Sequence, residues 1–270
     1  MSEAGEAGDM GARLRAQLAA RGLTWPAEIE HAASLPSTNE HLKRRARAGA
    51  AAWTVVIADA QTAGRGRQGR RWASPPGNLY LSVLLRPTAR DARWSVLPLA
   101  AGVAVAEALG EEGLEARLKW PNDVLVAGRK VAGILAEASS AAEGFESVVL
   151  GIGVNVSVRP RDLPPEAVTC AEEDLARAVD RVGLAAAVLA RLSVWYHALD
   201  REGPRVVQAA WRTRSVPWWG RVVEAQSGDR RLRGIARDLD ERGALILELE
   251  DGSRALLHSG EVHEVRAARD

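Results

Sequence analysis

The stretch ARLKWPNDVLVAGRKVAGILAEAS, residues 116–139, places two strand-like runs directly after one another. Both runs are rich in aliphatic side chains, and Ala127-Gly128 between them is typical of a hairpin turn. A third strand-like run, FESVVLGIGVNVSV at 145–158, follows without an intervening helix. Strict alternation of strand and helix is broken here, which favours an α+β domain over a doubly wound one.

Toward the N-terminus, the pattern predicts a mixture of helices and strands. Ser37 followed by Glu40 three residues later is a capping-box pattern, which opens a helix that runs to about Ala48. We expect residues 1–10 to be disordered. The other predicted elements are a short helix at 11–22, strands at 53–61 and 78–87, and a buried helix at 97–110.

Toward the C-terminus, residues 171–213 predict two or three helices, and the pattern changes near Pro217. Residues 218–266 form short β-type runs broken by turn signals, which predicts a small β-barrel of about five strands. We therefore divide the chain into an N-terminal extension at 1–26, a main α+β domain at 27–214 and a small β-domain at 215–270.

The bulk composition excludes several classes of protein. The 270 residues include 36 Lys and Arg against 35 Asp and Glu, so the net charge of +1 gives no general attraction to nucleic acid or membranes. Cys170 is the single cysteine, so no intrachain disulfide forms. The N-terminus lacks the apolar segment of a secretory signal, and no run approaches 18 apolar residues. We expect a soluble cytoplasmic protein.

The segment QTAGRGRQGRRW, residues 61–72, carries the clearest sign of ligand binding. Three glycines and four arginines lie within eight residues, without an acidic residue among them. Glycine lets the backbone approach a ligand closely, and the arginine fork suits carboxylates and phosphates. The spacing also matches a dinucleotide fingerprint, but Pro75-Pro76 prevents the helix that this motif must open. A mobile basic loop or a local nucleic-acid patch remains an alternative.

Three shorter motifs each allow a functional and a structural interpretation. KWPND at 119–123 frames a proline turn with polar side chains, or is only a turn anchored by tryptophan. GRKVAGIL at 128–135 sets Lys130 at the start of an apolar strand, where partial burial would focus its charge, or is a solvated hairpin. GIGVNV at 151–156 indicates a close backbone approach to a ligand, or tight packing against a helix.

Taken in order, these motifs resemble one family, the biotin protein ligases. The matching segments are STN at 37–39, GRGRQGRRW at 64–72, KWPND, GRKVAGIL and GIGVNV. The resemblance implies a catalytic α+β domain, with a mixed sheet and helices like that of class II aminoacyl-tRNA synthetases, followed by an SH3-like barrel. It further implies the monofunctional type, which lacks the N-terminal DNA-binding domain of some members.

The same resemblance implies a set of site residues. Lys130, Arg65 and Arg67 match the catalytic positions. The biotin-binding positions match Ser37, Thr38, Asn39, Gln61, Gly64, Arg65, Gly66, Arg67, Lys130 and Gly133. The ATP-binding positions match Arg70, Trp72, Lys119, Asn122, Asp123 and Asn155. Ser37 allows a second interpretation as a helix cap only, and we assign no metal ligand.

The implied reaction has two steps. Biotin and ATP, with Mg²⁺, give biotinyl-5′-AMP and pyrophosphate, and biotin then passes to a lysine of a biotin carboxyl carrier protein. We expect no nucleic-acid or membrane partner, and either a monomer or a homodimer. A lipoate ligase of the same fold, a DNA-binding regulator that uses the basic loop, and a non-catalytic binding module are the alternatives.

Overall fold

The computed structural model describes residues 10–87, 92–141, 144–228 and 230–264. The disorder expected for residues 1–9 lies outside these ranges, while Met10 already belongs to a helix. The helices are α1 Met10–Ala20, α2 Thr38–Arg47, α3 Leu97–Glu111, α4 Ala171–Leu175, α5 Arg181–Glu202 and α6 Pro204–Arg214. The strands are β1 Ile29–Leu35, β2 Val55–Gln61, β3 Leu79–Leu85, β4 Ala116–Lys119, β5 Asp123–Val126, β6 Arg129–Ala141, β7 Gly144–Val154, β8 Val222–Ser227, β9 Arg230–Leu239, β10 Leu245–Glu248, β11 Arg254–Leu257 and β12 Glu261–Glu264.

Seven strands form a mixed central sheet in the order β1-β2-β3-β7-β6-β5-β4. β1 and β2 are parallel, and α2 lies in the crossover that such a pair requires. The other neighbouring pairs are antiparallel. The prediction of an α+β fold with a mixed sheet is confirmed.

The prediction of one strand over 116–126 is wrong, because the structure has two strands there. The structure ends β4 at Lys119 and resumes with β5 at Asp123, and these two residues are antiparallel partners. Pro121 lies in the turn between them, where its missing N–H removes no ladder hydrogen bond. The turn predicted at Ala127-Gly128 is confirmed, and both residues have positive φ, 49° and 78°.

Strand β1 was not predicted, because its sequence IEHAASL lacks the run of β-branched residues that indicates β2. It is an edge strand of the central sheet, and none of its residues is fully buried. Edge strands of this kind have weak hydrophobic patterns, so their formation depends on contacts with the neighbouring strand.

The two faces of the central sheet are covered by different helices. Val55 and Ile57 of β2 belong to the large core that contains α3 and α5, whereas Val56 between them packs with Leu42 of α2. Alternate residues of a strand point to opposite faces, so α2 lies on the face opposite to α3 and α5. This leaves the first turn of α2 beside the central strands.

The N-terminal helix α1 is part of the main core. Met10, Leu14 and Leu18 are buried, and α1 packs against α5 and β1. The three side chains recur at intervals of four residues, which sets them on one face of the helix. The segment assigned to an N-terminal extension therefore continues the packing of the main sheet from residue 10 onward.

The C-terminal residues form a second, five-stranded sheet in the order β11-β10-β9-β8-β12. It shares a continuous core with the rest of the chain. The Trp120 indole donates to Gly243 O at 3.0 Å, and Ser95 Oγ donates to Arg242 O at 2.9 Å, which fixes the β9–β10 turn against the KWPND segment and against the residues that precede α3. The prediction of about five strands in this region is confirmed.

Two stretches of the described chain, Arg93–Glu111 and Arg181–Glu202, are long and apolar enough to cross a membrane by length and composition. In the structure, 72% and 61% of their apolar windows are buried inside the protein. Core helices pass the same test, so the two stretches are weak evidence for a membrane span.

Candidate functional site

A cleft of about 360 Å³ opens where the central sheet, the loop at 64–72 and the C-terminal sheet meet. We call residues 64–72 the lid loop. All the site residues predicted from the sequence line this cleft, with the exception of Gly64. The motifs, which are dispersed along the sequence, are therefore brought together in one place.

The lid loop is a narrow, internally hydrogen-bonded turn. Gly66 N donates to Arg70 O at 2.7 Å, and Trp72 N donates to Gly64 O at 2.9 Å. Between them a short 3₁₀ turn spans Arg67–Gly69, with Gln68 at a φ of 54°. The loop thus has a compact backbone, and no helix follows it.

The Trp72 ring forms one wall of the cleft and lies directly over two strands. A Cβ built on Gly153 would lie 2.7 Å from Trp72 Nε1, and one built on Gly133 would lie 3.0 Å from the same ring. Both positions therefore require glycine for the ring to approach the sheet. Lys130 Nζ lies 5.2 Å from the ring centroid, which brings its charge beside this wall.

A buried network of hydroxyls and amides forms one end of the cleft. Gln61 Oε1 accepts from Thr38 N at 2.8 Å, and Gln61 Nε2 donates to Ser74 Oγ at 2.9 Å. Ser82 Oγ lies 2.8 Å from Thr38 Oγ1 and 2.6 Å from Asn39 Oδ1. Helix α2 and strands β2 and β3 thereby hold the polar groups in fixed positions.

Ser37 and Asn39 have clear internal roles in this network. Ser37 Oγ accepts from Glu40 N at 3.4 Å, so the cap predicted from the sequence is confirmed. Asn39 Nδ2 donates to Glu137 Oε2 at 2.9 Å and to Leu135 O at 3.3 Å. A Cβ on Gly151 would lie 2.3 Å from Asn39 Oδ1, so the amide fits against the bare backbone of β7.

The middle of the cleft is basic and partly desolvated. Lys130 Nζ is 2.5 Å from Asp123 Oδ1, and Arg67 Nη1 is 3.4 Å from Asn122 Oδ1. Burial lowers the pKa of the Arg67 guanidinium, and the negative charge of Asp123 opposes that shift. Because an arginine stays protonated even so, this part of the cleft presents fixed positive charge to a ligand.

Asn155 contributes an unsatisfied acceptor at the far end of the cleft. Its Nδ2 donates to Thr169 O at 3.1 Å, while Oδ1 is buried and has no hydrogen-bond partner among the described residues. An unpaired buried acceptor is costly, so it fits a ligand that brings a donor. Asp162 and Leu163, in the loop after β7, line the same cleft.

The contribution of the C-terminal sheet to the cleft was not predicted from the sequence. Gly260, Glu261, Val262 and His263 line the cleft, and the Glu261 carboxylate pairs with Arg70 of the lid loop. These partners are 191 positions apart, and no local pattern marks Glu261. Tyr80, Ile152 and Leu163 were missed for the same reason, since a buried or half-exposed residue of a strand or loop carries no sign of facing a cleft.

The described residues contain no group of three or more His, Cys, Asp or Glu side chains that could hold a metal ion. The carboxylates that line the cleft are Asp123, Asp162 and Glu261, and two of them already pair with Lys130 and Arg70. A divalent cation would therefore need oxygen ligands from a bound substrate as well as from the protein.

Residues 31–155 match the biotin/lipoate A/B protein ligase family, and residues 219–263 match the biotin protein ligase C-terminal domain. The biotin--[acetyl-CoA-carboxylase] ligase of Mycobacterium tuberculosis is 38% identical over 264 residues, which cover 94% of each chain. The enzyme of the same name from Paracoccus denitrificans is 37% identical, over 82% of this chain and 94% of its own. The structure is similar to that of the Aquifex aeolicus biotin protein ligase in complex with biotin and ATP, with a TM-score of 0.74, 31% identity, and coverage of 89% of this chain and 99% of that one.

Proposed function

This chain belongs to the biotin protein ligases of the biotin/lipoate A/B protein ligase family, and we propose that the cleft lined by the lid loop is where its reaction takes place. The chain is an ATP-dependent ligase that joins biotin to protein. The observation that supports the position of the site is the convergence of the lid arginines, Lys130 and the Thr38–Gln61 network on one partly buried cleft.

Biotin occupies the end of the cleft between the polar network and the Trp72 wall. Its ureido group has N–H donors and a carbonyl acceptor, which suit the hydroxyls of Ser37 and Thr38 and the amide of Gln61. Those groups are fixed by hydrogen bonds within the protein, so they bind the ring with little loss of side-chain entropy. Asn39 acts by holding α2 on the sheet, because its amide is satisfied internally.

The backbone of the lid loop supports this end. Gly64 accepts the hydrogen bond from Trp72 N, and a Cβ on Gly64 would lie 2.5 Å from both Trp72 O and Ser74 Oγ. Gly66 closes the turn at the next position. Both glycines therefore keep the loop narrow enough to lie over the biotin side chain.

The first chemical step joins two anions and so depends on positive charge. Biotin's carboxylate attacks the α-phosphorus of ATP, pyrophosphate leaves, and biotinyl-5′-AMP remains. Lys130, Arg65 and Arg67 stabilise the negative charge that builds on the phosphorus oxygens. Asp123 pairs with Lys130 in the structure, which holds the amine in the cleft.

ATP occupies the other end, between Trp72 and the loop after β7. The free Oδ1 of Asn155 accepts from a donor on the nucleotide, and the Trp72 ring supplies a flat apolar surface. Lys119, Arg70 and Asn122 lie where the phosphates extend along the cleft. Their charges and amide groups complement a polyphosphate.

The cleft fits Mg²⁺ that arrives with ATP. Asp123 is a carboxylate in the middle of the cleft, and Mg²⁺ at nucleotide sites is commonly held by one or two carboxylates together with phosphate oxygens and water. When bound, the ion neutralises phosphate charge. Asp123 would hold it.

The second step transfers biotin to a lysine of a biotin carboxyl carrier protein, whose amine attacks the mixed anhydride and releases AMP. The adenylate is prone to hydrolysis, so the lid loop serves to exclude water until the acceptor arrives. The short backbone of the loop and its arginine side chains suit this role.

Finer features of the assembly belong to the same proposal. The main sheet with its helices corresponds to a class II aminoacyl-tRNA synthetase-like domain over residues 27–214, and the C-terminal sheet to an SH3-like domain over 215–270. The chain acts in the cytoplasm as a monomer or a homodimer, without nucleic-acid or membrane partners. Sedimentation of the purified chain with and without biotin and ATP would decide the oligomeric state.

The first experiment measures pyrophosphate release from ATP and Mg²⁺, with and without biotin, in the absence of an acceptor protein. We expect biotin-dependent release about equal to the amount of enzyme, because the adenylate is held. Lys130→Ala should lower the rate of this burst about a hundredfold or more, as removal of a charge-stabilising donor does. Arg129→Ala is the matched control, since Arg129 pairs with Glu173 and Asp174 outside the cleft.

A response to lipoate in place of biotin would reassign the substrate, and no response to any acid would contradict the location of the chemistry. A normal burst in Lys130→Ala would remove that lysine from the mechanism.

A further inference from the structure

Besides the packing of Trp72 on the sheet, three arginines of the lid loop reach side chains on three different elements. The guanidinium of Arg65 pairs with Glu40 of α2, and Arg67 reaches Asn122 of the β4–β5 turn. The third, Arg70, pairs with Glu261 of β12 in the C-terminal sheet. The first two anchors belong to the catalytic part of the chain, so Arg70 is the anchor that joins the lid loop to the C-terminal sheet.

We propose that Glu261 is a positioning residue that holds the lid loop closed through Arg70, and that the C-terminal sheet thereby controls escape of the adenylate. This inference rests on the proposed function of the cleft. Glu261 lies at the mouth of the cleft and acts on the loop, not on the reacting atoms.

The backbone of the loop transmits this contact. Gly66 N donates to Arg70 O at 2.7 Å, and Arg65 forms a bridge with Arg71, so the two halves of the loop are tied together. A displacement of Arg70 therefore moves Gly66 and its neighbouring arginines. Holding Arg70 from outside fixes the whole turn over the cleft.

The surroundings keep Glu261 charged. The hydrogen bond from Arg70 lowers the pKa of the Glu261 carboxyl, and the charges of His263 and Lys119 add to that shift against the opposing effect of burial. These two side chains and Arg70 face the carboxylate from the same strand, from the end of β4 and from the lid loop. Glu261 is therefore anionic at neutral pH and available to pair.

The strength of the contact suits a loop that must open in every cycle. The side chains of Arg70 and Glu261 are 60% and 46% exposed. An exposed ion pair of this kind shifts an equilibrium only about two- to fivefold. The contact therefore favours closure without locking the loop against entry of substrate or the acceptor lysine.

The test compares Glu261→Gln with Glu248→Gln. Glu248 forms an exposed ion pair with Arg237 in the same sheet, 2.8 Å apart, away from the cleft, and serves as the matched control. Two quantities are measured on the full chain: the rate of tryptic cleavage after the lid arginines without ligand, and the dissociation rate of biotinyl-5′-AMP formed on the enzyme.

We expect Glu261→Gln to raise both rates about two- to fivefold, with the initial pyrophosphate burst unchanged. Glu248→Gln should match the wild type. Glu261→Asp, which keeps the charge on a shorter side chain, should restore part of the protection. Adding Glu261→Gln to Arg70→Gln should have no further effect, because the carboxylate then has no lid partner.

The two measurements separate this inference from the proposed function. A wild-type chain without a biotin-dependent burst would contradict the proposed function, while the cleavage assay would still test the attachment of the loop. A normal burst with wild-type cleavage and dissociation rates in Glu261→Gln would overturn the inference. Equal effects of Glu261→Gln and Glu248→Gln, or additive effects with Arg70→Gln, would also overturn it.

Discussion

At the scale of single residues, the cleft depends on glycines, which have no side chain, as well as on the side chains that line it. Gly133 and Gly153 leave the space in which the Trp72 ring lies, and Gly151 leaves the space for the Asn39 amide. The GIGVNV motif predicts either a close backbone approach to a ligand or tight packing against a helix. The structure shows packing against side chains that themselves line the cleft.

Gly153→Ala tests this arrangement. Its methyl group would lie 2.7 Å from Trp72 Nε1, so the ring must move away from the sheet. We expect binding of biotin and ATP to weaken about tenfold, in line with the cost of overpacking a tight site. Isothermal titration calorimetry measures both affinities.

Gly110→Ala is the control for Gly153→Ala, because a Cβ on Gly110 meets nothing within 4 Å and alanine favours the end of helix α3. Unchanged affinities in Gly153→Ala would show that the position of the Trp72 ring does not matter for either ligand.

At the scale of elements, helix α2 and the lid loop are linked by one chain of charges. Ser37 caps α2, and Glu40 in its first turn accepts from Lys43 and Arg65. Lys43 also pairs with Glu137, which holds the Asn39 amide. Glu40 thus serves a different purpose from the reciprocal cap that its sequence position indicates, since its carboxylate turns toward the lid loop.

Arg67→Gly tests the lid loop itself. Loss of a charge-assisted contact to the adenylate should speed its escape, so biotinylation of bystander lysines should rise about tenfold or more. Mass spectrometry of a mixture of unrelated proteins counts the modified lysines.

Gln68→Gly is the matched control, because Gln68 already has a φ of 54°, which glycine adopts freely, and its change adds flexibility to the same loop without removing charge. Equal bystander labelling by both variants would attribute retention to loop stiffness instead of to the arginine.

At the scale of the whole molecule, one core supports both parts of the cleft. The buried cluster runs from α1 through the central sheet to the C-terminal strands. Tyr196 lies in this core and is 7% exposed, whereas Tyr80 is 1% exposed and lines the cleft. Their ionisation therefore reports on the stability of the molecule as a whole.

Burial raises the pKa of Tyr80 and of Tyr196 to about 12, from a usual value of 10. A folded pKa above the unfolded one means that stability is intact below pH 10 and falls as pH rises toward 12. From pH 9 to pH 11 we expect the free energy of unfolding to lose about 1 kcal/mol for each ring.

Urea denaturation of the wild type and of Tyr196→Phe at pH 9 and pH 11 measures this loss. In the variant, the tyrosine-dependent loss of free energy of unfolding between the two pH values should be about half that of the wild type, because phenylalanine does not ionise. The same loss in both proteins would place the alkaline sensitivity elsewhere, since lysines titrate equally in the two chains.

The sequence by itself determined the kinds of most elements and the motif residues that line the cleft. The hairpin at Ala127-Gly128, the capped helix at Ser37 and the β-rich C-terminal region follow from local turn, capping and alternation patterns, which act over a few residues. The motifs at 61–72, 119–123 and 128–135 were recognisable because their unusual side chains are close together in the chain.

Only the tertiary structure decided the edge strand β1, the break between β4 and β5, and the place of Glu261 beside Arg70. Strand β1 depends on a parallel partner beyond α2, and Glu261 on a partner 191 positions away. Such contacts form between groups that are distant in the chain, so no local pattern encodes them. Packing of the C-terminal sheet against the KWPND turn brings Glu261 to the cleft, beside Arg70 of the lid loop.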